Sequence, residues 1–339
     1  MTSKIGLLGQ PHPSSSARWR DFALTLCISA AVALALNLAA VIILDPYDTG
    51  RFLARASSGV TAQGPRTANA SRARDPRFDA AIFGNSHVQL LEPARLDSAT
   101  GFSFVSLIVP ATGPREQFVL IDWYLRNRVS PPRAMVLGID GPWCTADPAL
   151  PTTKPFPYWL YDSSPWAYLK GLLSLDVTER LPGRISLLLG RAKAARADGY
   201  WNYEPDYVGL GYAEDEARAR LQAEKPFMPS NPAGRFPAAE RLRAMLARVP
   251  AETAVVLVRP PVYATALPKP GTPDGIAAAA CRDAFAALAR ERPRTVFIDR
   301  QDDRAVNRDP ASFFDHTHYR APVAREIETA IAEAVRGAR

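Results

Sequence analysis

Ala80-Ala81-Ile82-Phe83-Gly84-Asn85-Ser86-His87 is the stretch that decides how this chain folds. A short apolar run followed by glycine and polar residues reads as a buried strand that stops at Gly84, with Ser86 just past its end. A serine in such a strand-to-loop turn can present its hydroxyl away from the backbone. Near the opposite end of the chain stands Asp315-His316-Thr317-His318, whose spacing lets Asp315 orient the His318 ring. Brought together, the two segments would supply the nucleophile, base and orienting carboxylate that acyl transfer requires. Of the four histidines, His87, His316 and His318 fall inside these segments, and His12 lies in a polar stretch near the N-terminus. Taken singly, Ser86 could satisfy a turn and Asp315 could cap a following helix. His87, Asp315, His316 and His318 could also converge on a metal ion, since imidazole and carboxylate suit zinc or manganese.

From residue 78 onward, short apolar runs alternate with amphipathic ones. The pattern predicts strands over 79–83, 103–108, 134–139, 254–259 and 294–298, and helices over 115–127, 237–248, 274–291 and 320–337. In the last of these, Val323, Ile327, Ala330, Ile331 and Val335 recur at helical spacing. Strands alternating with helices indicate βαβ units, hence an α/β fold with a parallel sheet covered on both faces. Ser86, Gly113, Asp140 and the loop after Arg259 then all fall at carboxyl ends of strands, where open α/β sheets place their sites. Residues 141–250 interrupt this rhythm as an insertion. It begins dense in proline and aromatics, contains a helix expected around 183–197 with Arg184, Arg191 and Arg196, and continues into Gly199-Tyr200-Trp201-Asn202-Tyr203. These aromatics read either as the core of a helical cap or as a lid lining a carbohydrate or lipid-linked groove.

Phe22 to Leu44 is an uncharged run of 23 residues with Asn37 as its one strongly polar side chain. That is long enough for a transmembrane helix. No small-residue cleavage motif follows it, which favours a retained anchor over a signal peptide. Basic residues precede the span, and Asp45 and Asp48 follow it. Residues 1–21 are therefore expected to be a cytoplasmic tail, 22–44 an inner-membrane anchor, 45–75 a polar linker, and 76–339 a periplasmic or extracytoplasmic domain. With 47% hydrophobic and 22% charged residues, the chain can bury one large core or two modest ones. Its net charge is +7, of which the tail supplies +2 (Lys4, Arg18 and Arg20 against Asp21). The remainder is diffuse. No basic run interleaved with aromatics occurs, which argues against nucleic-acid binding. Cys27 falls in the span, so Cys144 and Cys281 are the possible extracytoplasmic pair, either bridged or as two buried thiols.

Over residues 76–335 the chain resembles the SGNH (GDSL-like) hydrolase superfamily, in the membrane-anchored bacterial branch of alginate O-acetyltransferase and D-alanyl transfer proteins. The resemblance implies a three-layer, flavodoxin-like sheet, with Ser86 as nucleophile, His318 as base and Asp315 as orienter. It places the oxyanion-hole donors on the Ser86 and Gly113 N–H groups and on the family's Gly-x-Asn block, here Gly138-Ile139-Asp140. Two residues depart from the pattern. Asn85 stands where the family has aspartate, and Asp140 where it has asparagine. An ionised Asp140 facing the oxyanion would repel it. It is therefore turned away or protonated, or the hole relies on Ser86 and Gly113. His87, Arg115 and Arg259 are candidate substrate contacts. The resemblance calls for no cofactor and no metal. It implies transfer or hydrolysis of acyl, chiefly acetyl, esters on envelope or exported polysaccharide, and by analogy a membrane-bound O-acyltransferase partner. The alternative is an inactive polymer-binding or scaffold protein on the same fold.

Overall fold

A computed structural model describes residues 15–53, 59–150, 152, 154–223, 225, 231, 233–302 and 304–338. Most of the expected tail, including Lys4 and His12, lies outside the described residues.

The apolar N-terminal run forms one long helix, α1 (Ser15–Leu44). Its segment Arg18–Leu44 is long and apolar enough to cross a membrane. After it come α2 (Pro65–Arg72), β1 (Ala80–Phe83), α3 (Pro93–Thr100), β2 (Phe104–Ser106), α4 (Pro114–Arg126) and β3 (Ala134–Gly138). The insertion supplies short helices: α5 (Tyr158–Tyr161), α6 (Pro165–Leu172), α7 (Leu175–Thr178), α8 (Leu181–Leu188), α9 (Glu204–Gly209) and α10 (Asp215–Leu221). The sheet pattern resumes with α11 (Pro237–Leu246), β4 (Ala254–Arg259), α12 (Pro273–Glu291), β5 (Thr295–Asp299), α13 (Ala305–Arg308) and α14 (Ala321–Gly337).

All five strands run parallel in the order β2-β1-β3-β4-β5. Side chains alternate between two apolar cores, as the two-residue period of a strand requires. Ala81, Phe83, Met135, Leu137, Val255 and Leu257 face a core shared with α4, α11 and α12. Ala80, Ile82, Ala134, Val136 and Val256 face a second core completed by α3 and α14. Strands β1, β3 and β4 are buried on both faces, which explains their continuous apolar runs.

Three features depart from the expected layout. The 45–75 segment carries real packing. Asp48 and Thr49 are fully buried, and α2 places Ala68, Asn69, Ala70 and Ser71 inside. Small side chains let α2 lie close to the sheet, and its polar groups find partners: Ser71 Oγ donates to Asp48 and Asn69 Nδ2 to the Ile108 carbonyl. The helix expected over 183–197 spans only Leu181–Leu188, and Gly190 follows with a positive φ that ends it. Arg184 is buried, donating to Asp48 Oδ1 and to the carbonyls of Leu44 and Gly59. It thereby ties α8 to the end of α1.

Cys144 and Cys281 form a disulfide that joins the loop after β3 to α12. A bridge closing a loop of this sequence separation restricts the unfolded chain, an effect of about 2–5 kcal/mol for native disulfides. Replacing both cysteines with serine should lower the chemical-denaturation midpoint accordingly, and an unchanged midpoint would show the bridge to be dispensable.

Candidate active site

The site is built where β1 and β3 end side by side. Gly84 has no Cβ, and one placed there would lie 2.4 Å from Val88 Cγ2. At Gly138, on the neighbouring strand, an added Cβ would lie 2.8 Å from the same methyl. Both glycines make room for Val88, which lets the chain after β1 tighten at once into a 3-10 turn over Ser86–Val88. Asn85 caps this turn, its Oδ1 accepting the His87 N–H at 3.0 Å. Ser86 is thus the first residue of the turn and is partly open to solvent, whereas Asn85, His87 and Val88 are buried.

The C-terminal motif is shaped by its own backbone. Asp315 Oδ1 accepts the N–H groups of Thr317 and His318, each at 2.8 Å. Flanking residues close the loop through a Phe313–Tyr319 bridge and a Phe314 N–H to His318 carbonyl bond. The loop carries the imidazole across to β1. His318 Nε2 lies 2.9 Å from Ser86 Oγ, and Nδ1 lies 2.9 and 2.8 Å from the two Asp315 oxygens. With the proton on Nδ1, the ring donates to Asp315 and accepts from the Ser86 hydroxyl, which satisfies both contacts. Asp315 does not cap the last helix, which begins at Ala321 with Arg320 at its N-cap.

Asn85 and Asp140 face each other: Asn85 Nδ2 donates to Asp140 Oδ2 at 2.6 Å and to the Thr112 carbonyl at 3.1 Å. The same Asp140 oxygen accepts His87 Nδ1–H at 2.7 Å. The two residues singled out as departures in the sequence are therefore partners in one amide–carboxylate contact. Asp140 is turned toward Asn85 and His87, and its Oδ1 is buried with no hydrogen-bond partner among the described residues. Gly113 is not an available donor either. It is the N-cap of α4, and its N–H donates to the buried Glu116 Oε2 at 3.0 Å in a capping box. Among the described residues, the Ser86 N–H is the one expected oxyanion donor without such a partner.

The remaining candidates are dispersed. Arg115 is exposed and lies over the Tyr158 ring. Arg259 is buried in an ion pair with Asp299 at 3.1 Å. His316 Nε2 lies 3.0 Å from the Ala223 carbonyl instead of joining His87 and His318. Among the described residues, no group of three or more His, Cys, Asp or Glu side chains is arranged to hold a metal ion.

Nothing in the spacing of residues 199–212 points to what surrounds His318. Tyr203 and Tyr207, from the insertion, pack on its ring with centroids 5.6 and 5.1 Å away, and the His87 ring lies at 5.2 Å. Tyr203 also donates to the Tyr319 carbonyl, fastening the insertion to the loop that carries His318. Desolvation chiefly, with the nearby Asp315 charge, pushes the Tyr207 hydroxyl up, so it stays neutral. A cavity of about 460 Å³ opens between Gln63, Arg72, Gln89, Tyr200 and Trp201, and Gln89 belongs to the turn that Ser86 begins.

No family model matches the chain, and no curated protein matches it in sequence.

Burial alone would raise the Asp315 carboxyl. The hydrogen bond and charge of His318 and the two backbone N–H groups outweigh it and hold the carboxyl well below the usual carboxylate range. A depressed folded-state pKa contributes stability that is fully present above the unfolded value of about 4 and is lost as pH falls through the folded one. The stability gap between wild type and Asp315→Asn should therefore narrow as pH falls below about 4. Thermal denaturation of both proteins across that range checks this, and a gap that widens in acid would contradict it.

Proposed function

We propose that this protein is an SGNH-type serine acyltransferase or esterase, anchored in the membrane and acting on acyl, chiefly acetyl, esters of envelope or exported polysaccharide. The observation that carries this reading is the unbroken line Ser86 Oγ–His318 Nε2–His318 Nδ1–Asp315. The strand order supports a three-layer, flavodoxin-like arrangement with the site at the carboxyl ends of β1 and β3. The disulfide supports an oxidising, extracytoplasmic location for the domain, with the N-terminus in the cytoplasm.

In this mechanism Ser86 Oγ attacks the acyl carbonyl while its proton passes to His318 Nε2. Asp315 stabilises the imidazolium that results. The tetrahedral oxyanion is met by the Ser86 N–H, beside which Asp140 holds the His87 ring through Nδ1. Collapse expels the alcohol, which takes its proton from His318. A polysaccharide hydroxyl or water, deprotonated by the same ring, then releases the acyl group from Ser86. The exposed Trp201 and the adjoining Tyr200 offer flat faces of the kind that pack against sugar rings. An O-acyltransferase in the membrane would supply the activated acyl group.

Ser86→Ala and His318→Ala should each lower hydrolysis of an aryl acetate by at least about 10³-fold while remaining folded, as far-UV circular dichroism would show. Retention of wild-type activity in either variant rejects the proposal.

One observation favours a second reading, an inactive polymer-binding scaffold: the Gly113 N–H and the Asp140 carboxylate are both engaged within the protein. Covalent labelling with a fluorophosphonate separates the two. Modification of Ser86 supports the enzyme, and an inert Ser86 under conditions that label a control hydrolase supports the scaffold.

A further inference from the structure

The insertion helices α7 and α8 pack against α1, the candidate membrane span, and not only against the sheet domain. Asn37 Nδ2 donates to Thr178 Oγ1 at the end of α7 at 3.1 Å. Leu38, Val41 and Ile42 of α1 pack into the domain core. An apolar crossing of about 20 residues that begins at Phe22 ends near Val41. The Asn37–Thr178 contact therefore lies within the outer part of the hydrocarbon layer, about 6 Å below its boundary at 1.5 Å per residue. Parts of the domain that touch α1 at this height are at the lipid surface whether or not their own sequence looks membranous.

Their exposed side chains fit that position. Leu173 and Leu175, before and within α7, are 49% and 71% exposed, and Leu189, just after α8, is 59% exposed. On α8, Arg184 and Leu187 face inward, three residues apart, while Ile185 and Leu188 form the adjoining stripe and are each 42% exposed. Arg184 fixes which stripe faces outward, because its guanidinium is held by the Leu44 carbonyl and Asp48. Exposed Lys170, Arg191 and Lys193 flank the apolar stretch in sequence, the arrangement by which cations reach headgroups beside an embedded apolar face.

We infer that α7 and α8 form a second membrane contact, with Leu175, Ile185, Leu188 and Leu189 seated in the outer-leaflet interface beside α1. This rests on the reading of α1 as a membrane span, and it goes beyond anchoring: a single helix leaves the domain free to swing, whereas two contacts fix the height and tilt of the site over the bilayer. Its occupant is lipid. The surface adjoins α1, on which Leu34 and Leu36, within the crossing, are 53% and 66% exposed.

The test uses the full chain in lipid nanodiscs, with Cys27→Ser leaving the disulfide as the remaining cysteine pair. An environment-sensitive fluorophore is attached in turn at Leu175→Cys and Leu188→Cys, with Ile28→Cys in α1 and the 97%-exposed Val129→Cys as controls. Spin-labelled lipid is expected to quench the probe at 175, 188 and 28, and iodide to quench each at least threefold less than at 129. Iodide quenching at 175 and 188 equal to that at 129, with 28 still lipid-quenched, overturns the second contact and leaves the anchor standing. Iodide access at 28 as well overturns the anchor itself. Protection from iodide without lipid quenching at 175 and 188 overturns lipid as the occupant in favour of a second copy of this chain.

Discussion

Everything at the site follows from how closely β1 and β3 end together. Val88 folds back over the ends of both strands, and it fits because neither Gly84 nor Gly138 carries a Cβ. That closeness forces the chain to turn at Ser86 instead of running on, and it brings Asn85 within 2.6 Å of Asp140. Larger side chains at the two glycines would push Val88 outward, and the turn would lose the support that aims the Ser86 hydroxyl. The His318 ring is then brought to it from 232 residues away, by a loop that Asp315 shapes by accepting the N–H groups of Thr317 and His318. Nucleophile and base are thus each fixed locally, and the sheet sets their separation.

The strands were legible because a parallel strand covered on both faces must be apolar at nearly every position, and this chain has few other such runs. The triad was legible for a related reason: its members sit in short motifs whose order along the chain matches the family resembled. Gly113 was misread because a strand-end glycine that starts a helix serves equally as an oxyanion donor and as an N-cap, and only Glu116 three residues later discriminates between them. Asp140 looked like a defect when read alone. Its meaning depends on Asn85, a partner 55 residues distant that no local pattern links to it.

The insertion and the 45–75 segment were the least legible, and for one physical cause. Their burial comes from partners far away in sequence, so their periodicity is weak. Asp48 and Ser71 lie in what reads as a polar linker and Arg184 in the insertion, yet the three are buried in one shared cluster. Removing one charged member of such a cluster leaves the other uncompensated, a cost of about 3–5 kcal/mol. A cluster that expensive to disrupt is more rigid than a composition of Ser, Arg and Ala suggests.

That rigidity joins the two halves of the molecule. Arg184 holds α8 to the carbonyl of Leu44, the last residue of α1, while Tyr203 and Tyr207 from the same insertion hold the His318 ring. The insertion is therefore the mechanical path from the apolar helix to the base. On the proposed function, a polymer substrate beside the membrane would call for Ser86 at a set distance from the lipid surface, and a floppy tether would spread that distance over the length of the linker. The end of α1 is held by the buried Arg184–Asp48 pair and the His318 ring by Tyr203 and Tyr207. The segment least like the rest of the α/β pattern is the one that links the apolar helix to the candidate site.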